Sequence, residues 1–156
     1  MSLSLIQQAE LVVVSPLTRA LQTACHIFSA GVPPPFICHP AVAEIGGIPE
    51  NNARPLSALC KDSDLNRLQP FASIDFSLLG AEPTWPPTAR VHKQSRAAAA
   101  ETFLAWLRER PEQIIVVVSH HNFLQGLLKT TASVANCAPI VVEVDVEGRV
   151  GGMRVC

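Results

Sequence analysis

Two uninterrupted aliphatic runs stand out along the chain, Leu11 to Val14 and Ile114 to Val118. A strand with one wet face alternates apolar and polar positions, so unbroken runs predict strands covered on both faces. After the first run the apolar spacing changes to the helical period. Leu17, Ala20, Leu21, Ala24 and Phe28 would share one helix face. Ser15 stands where an N-cap belongs, and Pro16 at the first helical position. Gly31 and the prolines at 33–35 stop that helix, and Phe36 to His39 can form a short extended piece. A second helix is expected from Ser95 to Arg110, capped by Ser95, favoured by the alanines at 97–100 and ended by Pro111. Phe123 to Lys129 reads as the start of a third. Ile140 to Val146 predicts another strand, with a turn at Glu147-Gly148 and a return over Val150 to Val155. Residues 3–9 can form only a short helical end.

Strands alternating with helices imply an α/β domain with a largely parallel sheet. Ligands of such sheets bind beyond the carboxyl ends of the strands. Arg19 and His120 each follow a predicted strand, so both fall on that edge. They meet there if the two strands are near neighbours.

Residues 43–87 break the pattern. Gly46-Gly47, Pro49, Pro55, Pro70, Pro83 and Pro86-Pro87 interrupt them, and only Leu56 to Cys60 suggests a helical turn. An excursion of this length usually covers a site. Phe71, Ile74, Phe76, Leu78, Leu79 and Trp85 can bury surface, which argues against disorder throughout.

Composition narrows the function. The chain has 156 residues, 48% of them hydrophobic, enough for one domain with a sizeable core. The net charge of −1 and the lack of a basic face argue against nucleic acid. No apolar run approaches the length of a membrane span, and Met1 to Glu10 lacks the pattern of a signal peptide. The cysteines, at 25, 38, 60, 137 and 156, are odd in number and form no CxxC pair. That spacing argues against a disulfide framework or a zinc site and suggests scattered buried thiols in a reducing, cytoplasmic setting.

Arg19 sits in the first turn of its helix, where the dipole disfavours a cation. An anion bound there would reverse the balance, meeting backbone N–H groups and a guanidinium together. On spacing alone, exposure to solvent or a nearby carboxylate partner is the commoner explanation. Two other constellations fall short. Cys60 and Arg67 have six residues between them, where a cysteine-phosphatase loop has five, and glycine is absent. Asp62, Asp64 and Asp75 lack a coordinating spacing and read as solvated loop charges. His26 and His39 read as structural.

Three segments taken together, SPLTRALQTA (15–24), Glu44 and VVVSHHNFL (116–124), resemble the histidine phosphatase superfamily, the phosphoglycerate-mutase-like proteins. AEIGGIPENNARPLSAL, FASIDFSLLG and Trp85 are similar to its broad-specificity phosphatases from plants and fungi. The resemblance covers roughly residues 3–130. It implies a three-layer α/β/α domain over residues 1–156 with a largely parallel sheet, and an irregular insertion at 43–87 over the site. It also implies a small phosphorylated substrate or ligand and no cofactor or metal. In the family a histidine of an Arg-His-Gly motif on the first, central strand attacks phosphorus. Arginines and a second histidine hold the phosphoryl oxygens, and an acid protonates the leaving group. Carried over by position, Arg19 matches a phosphate-holding arginine, Glu44 the acid, His120 the second histidine and Asn122 the Asn of an HGN pattern. His121 replaces the usual glycine. Glu50, Asn51 and Asn52 stand where relatives often carry Cys-Asp.

None of the five histidines, at 26, 39, 92, 120 and 121, follows an arginine. LSLIQQ, at residues 3–8, resembles a remnant of a segment that follows the motif, so the family's first strand and nucleophile would be missing. Three readings follow. One is a phosphomonoester hydrolase acting through Arg19, Glu44 and His120. Another is a nucleophile-less relative that binds phosphorylated ligands or a protein partner. The last is an incomplete copy of an active enzyme. A sheet edge left open by a missing strand would favour self-association.

Overall fold

The structure is a computed structural model that describes residues 2–46, 48–80, 95–133 and 135–155. Gly47, Pro83, Trp85, Pro86, Pro87 and His92, which figured in the sequence expectations, lie outside the described residues.

A four-stranded parallel sheet organises the molecule. Its strands are β1 (Leu11–Val14), β2 (Phe36–Cys38), β3 (Ile74–Asp75) and β4 (Ile115–Val118), in the order β3-β2-β1-β4. β1 pairs with β2 on one side and β4 on the other, Val12 facing Phe36 and Val116. The two aliphatic runs are therefore immediate neighbours. β1 is buried along its whole length, as its unbroken pattern requires. β4 shows the same pattern but is only half buried, because it forms the sheet's edge.

The sheet has helices on both faces. On one, Val12 and Val14 pack against Leu21, Ala24 and Cys25 of α2 (Thr18–Ile27), with Leu59 of α3 (Leu56–Cys60) and Leu65 of α4 (Ser63–Asn66) beyond. On the other, Leu11 and Val13 pack against Phe103 of α5 (Arg96–Leu107) and Phe123 of α6 (His121–Leu127). Alternate residues of one strand thus feed two cores, the α/β/α layering expected of a buried parallel strand. Residues 2–7 form a short helix, α1 (Ser2–Gln7), whose Ile6 packs on the first core.

Local chemistry sets the element ends. Ser95 caps α5 by accepting from the Ala98 N–H at 3.1 Å. Asp62 accepts from the Asp64 and Leu65 N–H groups to cap α4 and pairs with Arg54 at 2.7 Å. It is a structural cap rather than a solvated loop charge. Asp75 likewise accepts from the Ser77 N–H at 2.8 Å. β5 (Ile140–Val144) and β6 (Val150–Val155) form the expected hairpin as a separate antiparallel pair. Its turn holds Gly148 at φ +76° and the Asp145 carboxylate on the N–H groups of Glu147 and Arg149.

Cys25 and Cys38 are buried free thiols, whereas Cys60 and Cys137 are exposed, so the expectation of buried thiols holds for only two of these four. No helix among the described residues is long and apolar enough to cross a membrane.

Candidate phosphoryl site

β1 and β4 run parallel and end together, so the segments after them open on one edge of the sheet. After β1 come Ser15, Pro16 and then Leu17, whose backbone is still extended at φ −76°, ψ 135°. The helix begins at Thr18, two residues later than the Ser-Pro signal predicts. Ser15 is not its cap. The Ser15 hydroxyl accepts from the Leu17 N–H at 3.3 Å in a local turn and meets Nε2 of His120 at 2.7 Å. Both residues are buried, Ser15 completely.

Arg19 is exposed in the first turn of α2. Its two terminal nitrogens donate to the Glu50 carbonyl at 2.6 Å and to Asn51 Oδ1 at 3.0 Å. Asn51 is buried and donates in turn to the Gly46 carbonyl at 3.4 Å. Among the described residues the cation is therefore held by neutral oxygens rather than by a carboxylate, and the guanidinium keeps further N–H donors for another partner.

Glu44 and Asn122 clamp the same loop to α6. Glu44 Oε1 accepts from the backbone N–H of Ile45 at 2.9 Å and of Asn122 at 3.1 Å. The Asn122 side chain donates to the Ile45 carbonyl at 2.9 Å. Ser119 adds a bond to the Val42 carbonyl at 2.7 Å. All four residues named from the sequence thus belong to one assembly, Arg19 and His120 just beyond adjacent strand ends, Glu44 on the loop after β2, and Asn122 in the first turn of α6 against that loop.

A protonated His120 would give the site a second cation. Burial, with the Arg19 charge nearby as the smaller cause, instead pushes its pKa down to about 4. At neutral pH it is an uncharged donor-acceptor. His39 is also held down to about 4, by burial alone. It caps the turn at Pro40–Val42, its Nδ1 accepting from the Ala41 N–H at 3.1 Å, and packs edge-on to Phe103 and Trp106. It is structural, as expected. His26 is exposed in the last turn of α2 rather than set in an apolar surround.

A cavity of about 400 Å³ opens elsewhere, between β4, α5, α6 and β5, and none of Arg19, Glu44, His120 or Asn122 lines it. No three His, Cys, Asp or Glu side chains converge as metal ligands among the described residues. Ser15 and Asn51 are the parts of this assembly that sequence reasoning missed. Their partners lie 105 and 32 residues away, and no local pattern marks such contacts.

Curated proteins are similar to this chain in sequence. A phosphoglycerate mutase-like protein of Arabidopsis thaliana is 30% identical over 148 aligned residues, which take in 81% of this chain and 55% of that protein. Phosphoglycerate mutase-like protein 1 of the same plant is also 30% identical, over 79% of this chain and 51% of its own length. The chain belongs to the phosphoglycerate-mutase-like proteins of the histidine phosphatase superfamily. Phosphoglycerate mutase-like protein 2, at 28% identity over 85% of this chain, agrees. The chain spans about half the length of the curated relatives it matches. No family model and no solved structure matches it. Its phosphoglycerate-mutase-like α/β fold, with a four-stranded parallel sheet, therefore rests on its own topology and on these sequences.

Proposed function

We propose that the carboxyl edge of β1 and β4 binds the phosphoryl group of a small phosphorylated ligand. One observation carries the reading. Arg19 is an exposed cation at a strand-helix junction, close enough to His120 for its charge to act on that ring, held by a carbonyl and an amide oxygen and, among the described residues, by no carboxylate. A guanidinium held this way is oriented without being neutralised, which suits a bidentate grip on a phosphoryl dianion. His120 adds an uncharged N–H donor. Glu44 and Asn122 keep the loop of residues 44–51 against α6, so that Arg19 is presented at a fixed height.

A second reading, phosphomonoester hydrolysis, is favoured by Glu44. Its Oε1 is occupied by two backbone N–H groups, so proton delivery to a leaving oxygen would fall to Oε2. Phosphoryl transfer through a histidine also needs a nucleophile. Within these 156 residues no histidine follows an arginine, and His120 Nε2 is occupied by Ser15. Binding is accordingly the function the residues support best, and turnover is proposed only for a form that supplies the nucleophile.

Phosphorus NMR separates the readings. Titrating the chain into inorganic phosphate should broaden and shift the phosphate resonance saturably, and Arg19→Ala should need roughly tenfold to a hundredfold more protein for the same effect. Incubation with an aryl phosphate should release no more phosphate than a buffer control. Multiple turnovers that disappear in Glu44→Gln would replace the binding reading with the hydrolytic one.

A further inference from the structure

The contact between Ser15 and His120 joins two strand ends, is fully buried on the serine side, and has no role in the reading above beyond its existence. Its direction can be worked out. Ser15 Oγ has one hydrogen and two acceptor sites, and the Leu17 N–H takes one of the acceptor sites. If His120 Nε2 carried the proton it would take the second. The Ser15 O–H would then be buried with nothing to accept it, since His120 Nε2 is its one candidate acceptor among the described residues. Buried donors without acceptors are strongly disfavoured. The satisfied arrangement has the Ser15 O–H donating to Nε2.

That choice fixes the other nitrogen. An uncharged imidazole has one N–H, so with Nε2 accepting, the proton resides on Nδ1. His120 Nδ1 bonds to no group among the described residues. No described side-chain nitrogen or oxygen is both buried and unpartnered, so Nδ1 opens on solvent. The Arg19 charge is close enough to act on the same imidazole.

We propose that Ser15 is a positioning residue that holds His120 as its Nδ1–H tautomer and aims that N–H at the phosphoryl oxygen gripped by Arg19. The inference rests on the phosphoryl-binding reading for the identity of what Nδ1–H meets, but the tautomer is a property of the free protein. Without the hydroxyl, the imidazole is free to exchange tautomers and to rotate about its side-chain bonds, and the donor is lost part of the time. Ser15→Ala lacks the hydroxyl, whereas Ser15→Thr keeps it.

The test is nitrogen NMR of the whole chain labelled at histidine, first without ligand. In the wild type, His120 should show a protonated Nδ1 and an unprotonated Nε2 at neutral pH. Ser15→Ala, checked for folding by circular dichroism, should show averaged tautomers, and Ser15→Thr should restore the single form. Inorganic phosphate affinity should fall about three- to tenfold in Ser15→Ala, the scale of one hydrogen bond, and return in Ser15→Thr. A wild type with the proton on Nε2 overturns the inference, whether or not the variants fold. So does a Ser15→Ala chain with the tautomer unchanged. Failure of the wild type to bind phosphate, with the Nδ1–H tautomer present, would overturn the phosphoryl aim while leaving the tautomer standing. Phosphate binding with the wrong tautomer would overturn the Ser15 role alone.

Discussion

Two buried histidines set how the molecule meets acid. His39 and His120 each have a pKa near 4 in the folded chain, against an ordinary value of 6.5. The unfolded chain therefore takes up protons between about pH 6.5 and 4 that the folded chain refuses, and stability falls as pH drops through that window. Above the window the contribution is fully present. The loss should be on the order of a few kcal/mol for the pair. His39→Asn keeps a side-chain acceptor for the Ala41 N–H and removes one titration. Melting temperature followed from pH 7.5 to 4.5 should fall less steeply for the variant, though from a lower start because the ring contacts with Phe103 and Trp106 are gone. Parallel curves would assign the acid sensitivity elsewhere. The same residue scale explains what was legible in the site. Arg19 and His120 stand out because each follows an aliphatic strand, which puts it on the ligand edge of a parallel sheet. Ser15 was misread, because a serine before Pro looks like a cap in any local window. Its true partner, His120, lies just beyond a strand that only the fold brings alongside.

Among the elements, α5 and α6 approach closely where Gly126 faces Arg96. A Cβ added to Gly126 would lie 2.5 Å from the Arg96 carbonyl oxygen and 2.8 Å from the Arg96 Cβ. Gly126→Ala should therefore cost stability by about 1–3 kcal/mol through overpacking, although alanine is the better helix former. Chemical denaturation would show it, and a neutral or stabilising change would mean the helices can slide apart freely. α5 was read with its cap correct and its end three residues too far, since Arg108 to Arg110 leave the helix before Pro111. β3 was not foreseen. Two residues, Ile74 and Asp75, carry no period of their own, and they become a strand only because β2 offers an unpaired edge. The helix at 56–60 forms where a helical turn was expected, whereas the one at 63–66 was not foreseen inside a stretch that composition marks as irregular. They are held by the Asp62 cap and by the burial of Leu59 and Leu65.

At the scale of the whole molecule, the alternation of strands and helices was enough to predict the parallel sheet and its layers. The strand order was not, because periodicity records which faces are buried and never which neighbour buries them. Phe103 is completely buried and joins Leu11 and Val13 to α6 through Phe123. Phe103→Ala should lower unfolding free energy by about 3–5 kcal/mol, enough to unfold a marginal domain. β4 closes one side of the sheet with half-buried aliphatic residues. An edge of that kind favours pairing with a second copy. Light scattering should show mass rising with concentration, and a strictly monomeric chain over a hundredfold range would remove that expectation.

The central claim is that one edge of this sheet grips a phosphoryl group through Arg19. Calorimetric titration of inorganic phosphate into the wild type, Arg19→Ala and Arg67→Ala tests it most directly, because Arg67 is exposed and pairs with Asp64 away from this assembly. The account predicts saturable one-site binding in the wild type and Arg67→Ala, weakened roughly tenfold to a hundredfold in Arg19→Ala, the scale of charge-assisted hydrogen bonds. Equal binding by all three proteins, or none by the folded wild type, would contradict it.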